Sequence, residues 1–208
     1  MIKVLIVIGC LIIAVPIILF AFSWRHSPLY SPDIAIMVCP EYVHYYVDRG
    51  YNYQCSGHCK EAIDDYTKAI EISNRQLKIY GPSVDTDYST ELYNTRGQLY
   101  AKLGKYQMAI DDYNQALALG HNNPGFIEHY VLDLRGFAYS QLSQYQRAIE
   151  DFTAAISDTA HQAETDKKGA ALYYYHRGEA YEKLGNKNMA ARDKEKAEKL
   201  GYRQLSNR

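Results

Sequence analysis

An Arg-Gly pair recurs four times along the 208-residue chain, at Arg49-Gly50, Arg96-Gly97, Arg135-Gly136 and Arg177-Gly178, each time with the same train of residues behind it. Counting from the glycine, tyrosine follows at +3 (Tyr53, Tyr100, Tyr139, Tyr181) and a small turn-forming residue at +7 (Gly57, Gly104, Ser143, Gly185). Alanine stands at +12 (Ala62, Ala109, Ala148, Ala190) and again at +19 (Ala69, Ala116, Ala155, Ala197). Between them lies aspartate at +15 (Asp65, Asp112, Asp151, Asp193), followed at +16 by Tyr66, Tyr113, Phe152 and Lys194. A period of this kind means one supersecondary unit copied along the chain, with no copy able to bury its apolar face alone.

The intervals dictate the local structure. Tyr106, Ala109, Ile110, Tyr113, Ala116 and Leu117 fall three and four residues apart, as do Tyr145, Ala148, Ile149, Phe152, Ala155 and Ile156. Each set predicts the apolar stripe of one helix. Tyr93, Gly97 and Tyr100 share one side of a preceding helix, and the small residue at +7 breaks the chain between the two. The unit is therefore a helical hairpin. A glycine inside a helix costs about 1 kcal/mol relative to alanine. Its presence in all four copies predicts two helices in close approach, with aromatic rings filling the space around it. The arginine before it and the aspartate at +15 recur even in the last copy. That predicts a structural ion pair between helices, with Arg135 near Asp112 or Asp151, in preference to a ladder of ligand-binding arginines.

The run Arg135-Gly136-x-x-Tyr139, then Tyr145-x-x-Ala148-Ile149-x-Asp151-Phe152-x-x-Ala155-Ile156, resembles the tetratricopeptide repeat, as does its counterpart in repeat two. The resemblance covers about residues 41–200. It implies an all-α fold: a right-handed superhelix, or α-solenoid, of about four hairpins at 41–73, 88–120, 126–158 and 165–201, with a tail at 202–208. Two departures stand out. The family's proline at the end of the second helix is absent, and the separations between Gly50, Gly97, Gly136 and Gly178 are 47, 39 and 42 residues, against a usual period of about 34. The excess lies in Asn74–Ser89, His121–Gly125 and Asp158–Lys168, as loops or helix extensions. Lys187, Lys194 and Glu198 replace apolar residues in repeat four, which makes it the polar capping unit that stacked repeats need.

In proteins of this family the first helices line a concave groove that receives a peptide or partner helix. Carried over to this sequence, the groove positions are His44, Tyr51 and Gln54 in repeat one, and Glu91, Asn94, Gln98 and Lys102 in repeat two. Repeat three gives Tyr130, Asp133, Phe137 and Gln141; repeat four gives Tyr175, Glu179, Glu182 and Lys183. This surface is aromatic and acidic. The carboxylate-clamp version of the family, which grips a chaperone's C-terminal acids, needs Lys, Asn and Arg at places held here by Val47, Asp133 and Glu179, so that partner class is excluded. Tyr51, Tyr130, Phe137 and Tyr175 suit anchoring of an apolar or basic segment. Packing against neighbouring helices suits them nearly as well.

Before the repeats the chain is a different material. No charge occurs from Val4 to Trp24, and twenty helical residues rise about 30 Å, enough to cross a bilayer core. Pro16 is tolerated in a membrane helix. Residues 1–25 read as a transmembrane signal-anchor, with 26–40 as linker. The competing reading is a secretory signal peptide cut after Ala21-Phe22-Ser23. Lipoprotein processing at Cys10 is disfavoured because the apolar run continues straight past it. Lys3 at one end and Arg25 with His26 at the other nearly balance the positive-inside signal. A short basic start favours a repeat domain outside the cytoplasm, as in a single-pass protein of bacterial type.

No catalytic constellation is present: there is no Gly-rich phosphate loop, no HExxH and no nucleophile elbow. Cys39, Cys55, His58 and Cys59 could hold zinc. The repeat register reads them more plainly, with Cys59 in the packing slot of Tyr106 and Tyr145, and Cys55 in the exposed slot of Lys102 and Gln141. In an exported domain a disulfide across the turn or to Cys39 is expected instead, with one thiol left over, whereas a cytoplasmic domain would keep all three reduced. Residues 33–208 carry 21 basic and 24 acidic side chains, a net −3 that argues against a nucleic-acid partner. The expected function is a scaffold or adaptor that recruits a partner protein at a membrane. It would be no enzyme, and would need no cofactor, metal or small-molecule substrate. The alternative is an assembly or regulatory subunit of a membrane enzyme or secretion complex.

Overall fold

A computed structural model of the chain describes residues 31–81, 88–120, 127–160 and 167–202, and every regular element among them is an α-helix. They form two compact units, one reaching Ile79 and the other starting at Tyr80. In the first unit, α1 (Pro32–Val38) precedes α2 (Val43–Cys55) and α3 (Cys59–Tyr80). The second holds three hairpins: α4 (Tyr88–Lys102) with α5 (Tyr106–Gly120), α6 (Glu128–Gln141) with α7 (Tyr145–Ala160), and α8 (Lys167–Lys183) with α9 (Lys187–Lys199).

Each hairpin turns in the same way. Gly57, Gly104 and Gly185 adopt φ of 81°, 72° and 80°, and Ser143 takes 59° in the matching place. In repeat three the Gln144 amide donates to the Tyr139 carbonyl at 2.9 Å and the Ser143 amide to the Ser140 carbonyl at 3.0 Å. This pair of bonds satisfies carbonyls that the end of a helix would otherwise strand. The same two bonds recur at Lys105 and Gly104, and at Asn186 and Gly185.

Behind the turn the two helices close on the repeat glycine. A Cβ on Gly97 would lie 2.7 Å from the Tyr113 ring, and one on Gly136 would lie 2.7 Å from the Phe152 ring. Tyr113 and Phe152 are 0% and 1% exposed, each contributing about 1.5–3 kcal/mol by burial. The core of the second unit runs from hairpin to hairpin. Ala148, Ile149 and Phe152 of α7 pack with Ala180 of α8. Leu132 of α6, Ala155 of α7 and Tyr173 of α8 pack together, joined by Leu117 of α5. In α9 the slot of Tyr113 and Phe152 is filled by Lys194, whose stem lies over Gly178 and whose ammonium bonds Glu182. The apolar stripe ends there.

Some boundaries differ from expectation. The range 26–40, read as linker, contains α1, which starts because Pro32 sits in the first turn with Asp33 beside it. Repeat one does not stop at residue 73, since α3 runs on to Tyr80, held by Arg75 to Glu41 (2.8 Å) and Gln76 to the Glu41 carbonyl (3.1 Å). The long period thus arises partly from helix extension. The expected anchor, residues 1–25 with Cys10, lies outside the described residues, and no helix among the described residues is long and apolar enough to cross a membrane.

Candidate functional site

The Arg-Asp signature is one fork-on-fork pair per hairpin. Arg49 reaches Asp65 at 2.9 and 2.7 Å, and Arg96 reaches Asp112 at 2.8 and 2.7 Å. Arg135 meets Asp151, not Asp112, at 2.8 and 2.6 Å, and Arg177 meets Asp193 at 2.7 and 2.9 Å. All four aspartates are buried. Burial pushes the Asp112 and Asp151 carboxyls above the ordinary range, while the arginine hydrogen bonds pull the other way and do not fully offset it. The Arg135 guanidinium is held above its usual value, chiefly by the Asp151 hydrogen bond, against its own burial. A further guanidinium nitrogen reaches back one element: Arg135 to Asn114 (2.7 Å) and Arg177 to Thr153 (3.0 Å), both on the second helix of the preceding hairpin. In the first unit Asp33 of α1 serves Arg49 in the same way, at 2.8 Å. These arginines are committed to the scaffold.

The other face is built from first helices, with α6 next to α4 and to α8. Tyr130 and Phe137, two helical turns apart on α6, are 41% and 42% exposed. Beside Phe137 opens a cleft of about 370 Å³ whose walls include Ser140, Gln141, Tyr145, His176, Glu179 and Lys183. The His176 ring sits 6.0 Å from that of Phe137 and 5.6 Å from that of Phe152. A rigid aromatic floor is thereby rimmed by amide, hydroxyl, carboxylate and ammonium groups. It can seat one apolar side chain and fix the polar backbone around it.

Several residues assigned to the groove are engaged within the chain. Asp133 does not face a ligand: it is 5% exposed and pairs with His176 Nδ1 at 2.7 Å, tying α6 to α8. The Tyr175 hydroxyl donates to Glu179 at 3.0 Å, and its ring is stacked on Tyr202, centroids 4.3 Å apart. Tyr202 lies beyond the last helix and outside the repeat register, so periodicity gave no signal for it. Glu182 is taken by Lys194. Gln98 bonds Asn94 at 3.4 Å, and Glu91, on the same helix, is exposed. In the first unit Tyr51 is 60% exposed, while Gln54 accepts a 3.0 Å bond from the Tyr66 hydroxyl. Of the second-unit groove aromatics, Tyr130 and Phe137 remain open. Cys39, Cys55 and Cys59 are free thiols, with Cys59 buried and Cys55 exposed. The disulfide expected of an exported domain is not formed among them, and no metal-holding cluster occurs among the described residues.

The Tetratricopeptide repeat family matches residues 90–123, 130–157 and 171–200. These segments coincide with the three hairpins of the second unit, so the chain carries tetratricopeptide repeats. A search of curated proteins returns no match. Among solved structures the chain is similar to BtubC (BKLC) from P. vanneervenii, with a TM-score of 0.67 at 18% identity over 90% of this chain and 73% of that one. It is similar to MamA (0.64, 22% identity, 82% of this chain and 84% of that one). It is also similar to YrrB, a TPR protein with an unusual peptide-binding site (0.63, 20% identity, 82% and 74%). At these identities the likeness is one of fold.

Proposed function

We propose that the chain is a non-enzymatic adaptor, held at a membrane by residues 1–25, that recruits a partner protein on the first-helix face of its repeats. The observation that carries this reading is the pair of open rings on α6, Phe137 at the α6–α8 cleft and Tyr130 two turns away on the same helix. Large rings left exposed beside a cleft suit the role of binding anchors. YrrB, on the same fold, has a peptide-binding site, in keeping with a peptide occupying this face. The uncharged run Val4–Trp24 supports the membrane attachment. Tethering would raise the effective concentration of the partner in the membrane plane. The rim offers Glu179 and Lys183 close together, so the partner segment presents an apolar side chain flanked by polar groups of both signs.

The test is crosslinking capture from membranes with wild-type chain and with Phe137→Ala and Tyr130→Ala. Both rings are largely outside the core, so helix content and melting should stay the same while a captured protein is lost. An unchanged capture profile in both variants removes the groove reading.

A further inference from the structure

Helix α1 presents two unlike sides. Ala35, Ile36 and Cys39 are half-buried, and α1 packs on α2. The outward arc carries Ile34, Met37 and Val38, which are 49%, 84% and 50% exposed. At 100° per residue these three adjoin one another on the helix surface. Asp33 stands at the edge of that arc, and its bond to Arg49 (2.8 Å) fixes the roll of α1 about its own axis. Arg49 is itself clamped on Asp65. The apolar stripe is therefore held outward by an ion-pair network, not left there by a loose end.

What lies within reach of this stripe follows from the sequence. The uncharged run ends at Trp24, followed by Arg25, a pairing favoured at a bilayer interface. Eight residue steps separate Trp24 from Pro32, which no chain stretches beyond about 29 Å. The stripe is thus tethered beside the surface that the run enters. Helix α1 has no lysine or arginine, so attraction to anionic headgroups is not the source of its affinity; apolar insertion is. We propose that α1 rests on the bilayer surface with Ile34, Met37 and Val38 in the boundary between headgroups and acyl chains. This rests on the reading of residues 1–25 as an anchor, and it goes beyond that reading: the first unit stands on the membrane with a fixed stance instead of swinging on its tether.

Trp24 is the single tryptophan of the chain, which makes a clean probe available. The full-length variants Trp24→Phe/Met37→Trp and Trp24→Phe/Lys60→Trp are reconstituted in phosphatidylcholine vesicles with and without brominated acyl chains. Lys60 is exposed on α3 of the same unit and serves as the reference. The expected result is emission at position 37 shifted to the blue and mostly lost in brominated lipid, at low and at high salt, with the position-60 probe unshifted and unquenched. A position-37 probe that stays unquenched while the chain resists alkaline extraction overturns this inference and leaves the anchor intact. A chain washed off by alkali overturns the anchor reading and this inference with it. A blue shift insensitive to bromine that fades when the protein is diluted in lipid assigns the stripe to a second copy, and also overturns the proposal.

Discussion

Tyr113 buries a hydroxyl that has no hydrogen-bond partner among the described residues. Burial, then the neighbouring Tyr130 and Asp112, push its ionisation well above the ordinary phenol range. Its counterparts explain the omission. In repeat one the Tyr66 hydroxyl donates to Gln54, four residues after the glycine; in repeat two that place is Ala101, which offers no acceptor. An unmet buried hydroxyl costs about 1–3 kcal/mol. Tyr113→Phe, the residue type already present as Phe152, should therefore raise stability by about 1 kcal/mol, seen as a higher urea midpoint at unchanged slope. In an Ala101→Gln background that gain should shrink. The buried ion pairs behave in the opposite sense. Arg135→Leu leaves Asp151 charged and unpaired, a loss of about 3 kcal/mol, while Arg135→Leu/Asp151→Leu should recover most of it. The carboxyl of Asp151 is already raised by burial, and more so without its partner. Its neutral form therefore favours the fold below the unfolded pKa of about 3.9, and that contribution is lost as pH climbs through the folded value. The penalty of Arg135→Leu should accordingly be smaller at pH 5 than at pH 7 in parallel urea titrations.

At the scale of helices, close approach and turn geometry make separate demands on small residues. Gly136→Ala would press its methyl against the Phe152 ring, where a Cβ falls at 2.7 Å. Overpacking of that order costs about 1–3 kcal/mol. Ser143 holds φ of 59° where its equivalents are glycines, so Ser143→Gly should stabilise the α6–α7 hairpin by up to about 1 kcal/mol. Thermal melts of the two variants should move in opposite directions. The hairpins and their order were legible because each rests on several residues at fixed intervals. Helix α1 was not, because seven residues beginning at a proline carry no periodicity of their own. The run of α3 beyond residue 73 stood open between loop and helix extension, since Asn74–Lys78 is mostly polar and its hold on Glu41 is a tertiary fact. The site was legible as a face but not residue by residue. Position within the repeat places Asp133 and Tyr175 on the first-helix side. It says nothing of His176 taking one and Tyr202 covering the other.

Across the whole molecule, the adaptor and integral-subunit readings part at the N-terminus. Exchanging residues 1–25 for an unrelated membrane span should leave partner capture intact, because capture is assigned to Tyr130 and Phe137; loss of capture with the protein still in the membrane would favour a subunit that packs through its own span. The scaffold tolerates local change, and one position shows how far. The pairing of the residue at +16 with the one at +4 is a neutral hydrogen bond in repeat one, a stranded hydroxyl opposite alanine in repeat two, phenylalanine with serine in repeat three and an ammonium–carboxylate pair in repeat four. Dissolved ions weaken the last of these and leave the neutral three alone. Ionic strength therefore acts at this position on the final hairpin alone, and only by the little that an exposed ion pair contributes, while the Arg177–Asp193 fork still joins its two helices.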